Sequence, residues 1–250
     1  MNEPVIPPDR SLAGAVLLGP DHAHLGGIAV EPVGFRAAAG LSPGRFPKGY
    51  PHVDPNEDAV AVFTDERRWL LVVADGHGGA AAAVAAVQAI AARAGSLLAA
   101  HPEEAARTSL LLGARAVGDV RASSAPSSGT ALLVASIGPE GAHLTGAGDS
   151  VAYVVTGRRV TRVDAATPFV EHSGDTVPVI RRVALRSTST LVLATDGLGD
   201  FLGRRWSHVV RSARAATAPA TVEALIQSAH RGGAGDNVAV AALTPAFLPT

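Results

Sequence analysis

The stretch TALLVASIGPEGAHLTGAGDSVAYVVTGRRVTRV, residues 130–163, contains four apolar runs separated by turns of only a few residues. Parallel strands need a crossover connection of a dozen or more residues, so runs this close together are predicted to be antiparallel neighbours. The four strands are predicted at residues 130–137, 142–147, 151–156 and 159–163. The stretch therefore favours antiparallel sheet and argues against a doubly wound parallel one.

Strand and helix patterns are segregated in the rest of the chain as well. The charged residues 65–68 are typical of a hairpin turn, and Pro102 with the two acids after it is typical of a helix start. The remaining strands are predicted at residues 28–38, 59–63, 69–74, 177–185, 190–195 and 238–243, and the helices at about 80–99, 103–120, 204–214 and 219–231. This segregation predicts the α+β class.

Composition predicts one domain. Residues 1–25 contain prolines and histidines without periodicity, so they are predicted to be an irregular N-terminal extension before a single domain over residues 26–250. With 250 residues, 47% of them hydrophobic, the chain can bury a large core. The proline- and glycine-rich residues 40–56 are predicted to be a loop.

Charge and cysteine content exclude several classes of function. The formal net charge is −1 and no basic tract stands out, so nothing favours a nucleic-acid or membrane-surface partner. There is no cysteine, which removes disulfides and thiolate chemistry, so any metal must be bound by carboxylates, histidines, carbonyls or water. The apolar residues 12–19 are too few to span a bilayer, and a cytoplasmic location is expected.

Four aspartate-bearing turns each adjoin an apolar run. They are ADGHGG (74–79), GAGDS (146–150), LATDGLGD (193–200) and GAGDN (233–237). An Asp-Gly step is ordinary turn chemistry when it occurs once. Several such turns in one domain indicate carboxylates that converge on a hard cation such as Mg²⁺ or Mn²⁺.

Six motifs in this order resemble one family. NED (56–58), VVADGHGG (72–79), SGTA (128–131), GAGDS (146–150), LATDGLGD (193–200) and GDN (235–237) are similar to the motifs of PP2C-type (PPM family) metal-dependent protein serine/threonine phosphatases of the bacterial kind. The resemblance covers residues 28–243 and implies an α-β-β-α sandwich. In that fold, two antiparallel β-sheets pack face to face, with helices on both outer faces.

The resemblance also implies a binuclear Mn²⁺ or Mg²⁺ site, where metal-bound water or hydroxide attacks a phosphate monoester. Its ligands would be Asp75 as the bridge, the carbonyl of Gly76, Asp196 and Asp236 on one ion, and Glu57 near the other, with Asp58 acting through water or hydrogen bonds. His77 matches the general acid for the leaving alcohol. Asp149 is expected to serve a hairpin turn.

Three departures from the family pattern concern substrate and ion binding. Val53 stands where the family has a phosphate-holding arginine, and the nearby cations that could replace it are Arg45, Lys48 and His52. Residues 121–128 lack the acid of a third ion site, for which Asp119 is the nearest candidate. Residues 164–180 are short where the family often has a longer flap.

Two other classes of function stay open. The missing arginine and third-site acid favour a phosphatase-like binding or regulatory module with little turnover. A calcineurin-like phosphoesterase would need an Asn-His pair, which does not occur here. The expected partner is a phosphorylated protein substrate, with no nucleic acid or membrane, and the expected state is a monomer.

Overall fold

Two six-stranded antiparallel sheets form the centre of the molecule in this computed structural model, which describes residues 12–164 and 176–245. In spatial order, the first sheet contains β1 (Ala13–Leu18), β4 (Ala59–Thr64), β5 (Trp69–His77), β6 (Gly129–Gly138), β7 (Gly141–Ala147) and β10 (Arg181–Val183). The second contains β2 (Ala29–Val33), β3 (Ala37–Ser42), β12 (Val238–Leu243), β11 (Ser189–Ala194), β8 (Val151–Thr156) and β9 (Arg159–Asp164).

The main core lies between the two sheets. Side chains from the facing strands, among them Leu71, Leu133, Leu144, Leu191 and Leu193, are almost fully buried together. The central strands β4, β6, β11 and β12 are buried along nearly their whole length, because helices cover the faces turned away from this core. That double burial explains why their sequences are continuous apolar runs and do not alternate.

Three helices pack on the outer face of each sheet. Helices α1 (Ala81–Ala91), α2 (Ala94–Ala99) and α3 (Pro102–Ser123) cover the first sheet, and α4 (Asp196–Leu202), α5 (Trp206–Ala213) and α6 (Ala218–Arg231) cover the second. The predicted start of α3 is confirmed, with Pro102 at its first position and Glu103 and Glu104 in its first turn. The predicted α+β sandwich is confirmed.

Several element boundaries differ from prediction. The expected irregular segment 1–25 is wrong for residues 13–18, which form the edge strand β1 by pairing with β4. The single strand predicted at 28–38 is two strands, because the chain turns at Gly34, whose φ is 63°. The helix predicted at 80–99 is interrupted between α1 and α2, and the strand predicted at 177–185 is reduced to β10.

The turn at residues 148–150 is not a hairpin. Strand β7 belongs to the first sheet and pairs with β6 and β10, whereas β8 belongs to the second sheet and pairs with β9 and β11. The prediction that β7 and β8 are antiparallel neighbours is therefore wrong. The chain crosses from one sheet to the other here, which carries Asp149 to the end of the sandwich. Most of the predicted short flap, residues 165–175, falls outside the described residues.

Candidate active site

A cleft of about 430 Å³ opens at the end of the sandwich where strand β5 finishes. Its walls come from five separate segments of the chain, which is why no single motif could define it. The lining residues are Tyr50, Pro51, Glu57, Asp75, Gly76, His77, Gly78, Asp149, Asp196 and Asp236. Five of these ten residues are acidic, and none of them is a lysine or an arginine.

Asp75 and Gly76 lie in the last residues of β5, paired with β6. Gly76 lies against the main chain of Glu57: a Cβ atom on Gly76 would lie 2.1 Å from the Glu57 carbonyl oxygen. Only glycine allows this approach, so glycine at position 76 has a steric basis. The carboxylate of Asp75 is half-buried at the floor of the cleft.

Three carboxylates converge at this floor. One oxygen each from Asp75, Asp149 and Asp196 lie within 4.8 Å of one another. Asp149 arrives on the turn that joins the two sheets, and Asp196 is the first residue of α4. The sequence-based expectation that Asp149 serves a hairpin turn missed this position, because a Gly-Asp turn has the same local chemistry whether or not its strands pair.

A second layer of polar side chains holds Asp58 behind the cluster. The Thr195 hydroxyl donates to Asp58 Oδ2 at 2.9 Å, and Thr195 Oγ1 accepts the backbone N–H of Ala239 at 2.9 Å. Asp58 is 1% exposed and does not line the cleft. Its carboxylate therefore lies behind the residues that line the cleft.

Burial and mutual repulsion raise the pKa values of these acids. Burial is the largest cause of the raised pKa of Asp75, and the charges of Asp58 and Asp196 add to it. Burial also raises the pKa of Asp58 well above its ordinary value, and raises the pKa of Asp196 to about 6 with the help of Asp149 and Asp236. Acids arranged this way favour a bound cation, and their all-oxygen donor set suits Mn²⁺ or Mg²⁺.

Asp236 stands at the edge of the cluster, on the turn before β12. Its Oδ1 atom accepts a hydrogen bond from the Tyr50 hydroxyl at 2.6 Å and from the backbone N–H of Asn237 at 2.8 Å. The Asn237 side chain in turn accepts the Glu57 N–H at 2.8 Å. These hydrogen bonds of the GDN motif (235–237) thereby link the second sheet to the segment that carries Glu57. Tyr50 was not identified from the sequence, which offers no local signal for it.

Glu57 and Lys48 form a buried ion pair. Lys48 Nζ lies 2.9 Å from Glu57 Oε2 and 3.7 Å from Asp236 Oδ1, and the side chains of Lys48 and Glu57 are 3% and 2% exposed. Although burial alone would raise it, the pKa of Glu57 is lowered, chiefly by the hydrogen bond and charge of Lys48. This region of the cleft differs from the Asp75 cluster because its carboxylates already have a cation.

His77 lines the cleft two residues after Asp75. Its ring lies against Gly129, since a Cβ atom on Gly129 would be 2.3 Å from His77 Nε2. Gly78 follows with a φ of 67°, which turns the chain away from the ring. The imidazole is half-buried beside the acidic cluster, and the glycine at position 129 gives it room.

The other predicted phosphate-binding cations lie outside the cleft lining. Arg45 is exposed, with its guanidinium 5.8 Å from the Phe46 ring centre, and His52 Nδ1 lies 3.0 Å from the Tyr50 carbonyl oxygen. Val53 is 69% exposed at the rim. Asp119, the nearest acid for a third ion, is exposed on α3 and is also absent from the lining.

The sequence matches a model of the protein phosphatase 2C family over residues 51–230. The fold is similar to the serine/threonine phosphatase PstP/Ppp of Mycobacterium tuberculosis, at 22% identity and a TM-score of 0.65, over 88% of this chain and 100% of that one. It is also similar to the catalytic domain of PstP in complex with two manganese ions, at 20% identity and a TM-score of 0.64, over 94% and 100% of the two chains. A third similar structure is PppA of Pseudomonas aeruginosa, at 20% identity and a TM-score of 0.68, over 84% and 97%.

No curated protein sequence matches the chain. Within residues 12–164 and 176–245, no helix combines the length and apolar character needed to cross a bilayer. These three solved structures share 22% identity or less with this chain, so they show its fold, whereas the family model covers well over half of the sequence. The chain belongs to the protein phosphatase 2C family of protein serine/threonine phosphatases.

Proposed function

We propose that this protein hydrolyses phosphoserine and phosphothreonine in protein substrates and requires a divalent cation to do so. The observation that supports this most directly is the convergence of Asp75, Asp149 and Asp196 at the floor of an open cleft. Three carboxylates this close repel one another strongly unless protons or a cation compensate their charge. A folded chain that keeps such a cluster at the base of a cleft is suited to bind a cation there.

The residues that would hold the ion are Asp75, Asp149 and Asp196, with the carbonyl of Gly76, and Asp236 lies at the edge of this group. Mn²⁺ and Mg²⁺ are the expected ions because every donor is an oxygen atom, and PstP is described in complex with two manganese ions. When bound, a divalent cation lowers the pKa of a water ligand and neutralises phosphate charge. Asp58 would orient the cluster through Thr195, which is the usual role of residues behind a metal site.

His77 is proposed to donate a proton to the oxygen of the departing serine or threonine. An alkoxide is a poor leaving group, so a positioned acid accelerates its departure. The ring is half-buried on the wall of the cleft, and Gly129 leaves the space that it occupies. His77 needs no metal contact for this role, which separates it from the three aspartates that would hold the ion.

Phosphate binding is proposed to depend mainly on the cation. The lining of the cleft includes no lysine or arginine, and Val53 replaces the arginine of the family pattern. We therefore expect weak ground-state binding of substrate and a strong dependence of turnover on metal concentration. The same observation favours the second candidate function, a module that binds phosphorylated proteins through this cleft but turns over slowly.

The test is phosphate release from a phosphothreonine peptide by the purified chain after chelation, titrated with Mn²⁺ and Mg²⁺. The proposal expects release only with added metal, and a matched Asp75→Asn variant should release none. Peptide binding without release, measured by fluorescence anisotropy at saturating Mn²⁺, would favour the binding module. Equal release by the chelated and the metal-loaded chain would contradict both.

A further inference from the structure

Lys48 is the only lysine in the chain, among 21 lysine and arginine residues. Its side chain is nevertheless 3% exposed. Lysine is among the residues least often buried, and when buried it is paired with an opposite charge. A unique lysine buried at the edge of an acidic cleft therefore indicates a specific role for its ammonium group.

The ammonium joins two carboxylates that are far apart in sequence. It lies 2.9 Å from Glu57 Oε2, 3.7 Å from Asp236 Oδ1 and 5.4 Å from the ring centre of Tyr50. Bringing carboxylates from separate segments to one compact positive charge is what a bound cation does in a metal site. Lysine suits this position because its charge is compact, whereas the guanidinium of arginine is planar and extended.

Glu57 has little acceptor capacity left for a metal ion. Its Oε1 atom accepts three backbone N–H groups, from Gly79 at 2.7 Å, Val53 at 3.2 Å and Asp54 at 3.4 Å, while Oε2 accepts from Lys48. The two carboxylate oxygens offer about four acceptor positions in all. Three donors saturate Oε1, and Lys48 occupies one of the two positions on Oε2, so the one position left lies beside the ammonium.

The loop that carries Lys48 is held in place on both sides of the ammonium. Tyr50 donates to Asp236 at 2.6 Å, and Asp54 Oδ2 accepts the backbone N–H of Ala80 at 2.8 Å, next to the start of α1. These bonds hold the backbone on both sides of Lys48 in place. A divalent ion beside Glu57 would also face the ammonium at short range.

We propose that the Lys48 ammonium takes the place of the second divalent cation of this cleft. The protein would then bind one ion tightly at Asp75, Asp149 and Asp196, and none of comparable affinity beside Glu57. This inference rests on the proposed function, because it concerns the ions of the same reaction. It replaces the expectation of two ions with one ion and one fixed ammonium.

The test is the number of Mn²⁺ ions bound per chain, measured by isothermal titration and native mass spectrometry. We expect one tightly bound ion in the wild type and two in Lys48→Met, with the second site strengthened by at least about 10-fold, the scale on which neighbouring groups alter metal affinity. The matched control is Arg45→Met, which removes an exposed cation from the same loop and should leave one ion. Two tight ions in the wild type, or one in Lys48→Met, would overturn the inference.

A second measurement does not depend on the variant folding. Because Lys48 is the only lysine, its acetylation by an amine-reactive ester can be followed in the wild type by peptide mass spectrometry. We expect Mn²⁺ to leave Lys48 as protected as in the chelated protein. A severalfold faster acetylation with Mn²⁺ would mean that the ion expels the lysine, and the inference would be wrong.

The measurements distinguish failure of this inference from failure of the proposed function. Two bound ions with metal-dependent phosphate release would leave the phosphatase proposal intact and remove only the role of Lys48. No Mn²⁺ binding at all, together with no phosphate release, would contradict the phosphatase proposal itself.

Discussion

The floor and the edge of the cleft differ in how the charge of their clustered carboxylates is compensated. At the floor, Asp75, Asp149 and Asp196 converge, and none of the ion pairs among the described residues involves them. At the edge, Glu57 and Asp236 share the ammonium of Lys48. Burial, with the added charges of Asp58 and Asp196, raises the pKa of Asp75 well above its ordinary value, while Lys48 lowers the pKa of Glu57 against the effect of burial. The floor therefore favours a bound metal ion, whereas at the edge the Lys48 ammonium already supplies the positive charge.

The largest expected effect comes from removing the central carboxylate of the floor. Asp75→Asn should reduce metal-dependent hydrolysis by more than about 100-fold, the upper range for residues that only orient a ligand. It should also stabilise the chelated protein, because one repelling charge is lost. Phosphate release and thermal melts in chelator measure both effects. Activity near that of the wild type would show that the floor is not the metal site.

His77→Gln should separate proton donation from metal binding. We expect hydrolysis of a phosphopeptide to slow by about 100-fold or more, while an activated aryl phosphate, whose leaving group needs no proton, is affected much less. The Mn²⁺ concentration at half-maximal activity should be unchanged. Equal losses on both substrates with a weaker Mn²⁺ dependence would instead place His77 among the ligands.

Asp149→Asn tests whether the turn between the sheets belongs to the floor. We expect Mn²⁺ affinity to fall by about 10- to 100-fold, since at least one oxygen donor of the cluster is lost. The matched control is Asp200→Asn, which changes another exposed aspartate, in α4, outside the cleft lining. Isothermal titration measures both. Equal Mn²⁺ affinity in the two variants would show that Asp149 does not bind the ion and serves only the turn.

The difference between floor and edge should also appear in the pH dependence of the chelated protein. The pKa of Asp196 is raised to about 6 in the folded state, so the folded chain holds more protons than the unfolded chain between about pH 4 and 6. Stability without metal should therefore be greatest below about pH 4 as far as this group is concerned, and should fall by on the order of 2 kcal/mol as the pH rises through 6. Saturating Mn²⁺ should abolish this fall. Urea titrations at pH 5 and pH 7 test it, and a chelated protein more stable at pH 7 would contradict it.

The smallest expected effect concerns the rim. Val53 is 69% exposed beside the cleft, so Val53→Arg should fold normally and place a cation where the family pattern has one. We expect KM for a phosphopeptide to fall severalfold with little change in kcat, as for a contact made equally in the ground and transition states. Steady-state kinetics measure this. An unchanged KM would mean that the phosphate lies away from position 53.

Local sequence was a good guide wherever neighbouring residues decide the outcome. The start of α3 at Pro102 depends on backbone geometry that proline already has. The apolar runs of β4 and β6 were predicted as strands because their burial on both faces is visible as continuous hydrophobicity.

Pairing partners and burial decided the remaining features, and neither can be read from a short segment. Residues 13–18 become strand β1 only because β4 offers them an unpaired edge, and the turn at Asp149 leads between sheets because β8 finds its partners in β9 and β11.

The sequence by itself determined the family, the sandwich of two sheets and the identity of most acids in the cleft, because these depend on residue types in a fixed order. Only the tertiary structure decided which acids meet and which already have a cation. Asp149 lies with Asp75 and Asp196 at the floor of the cleft. Lys48, predicted from the sequence as a phosphate-binding cation, forms a buried ion pair with Glu57. The physical reason is that charge interactions depend on distance and burial, and both arise only when segments far apart in the chain are packed together.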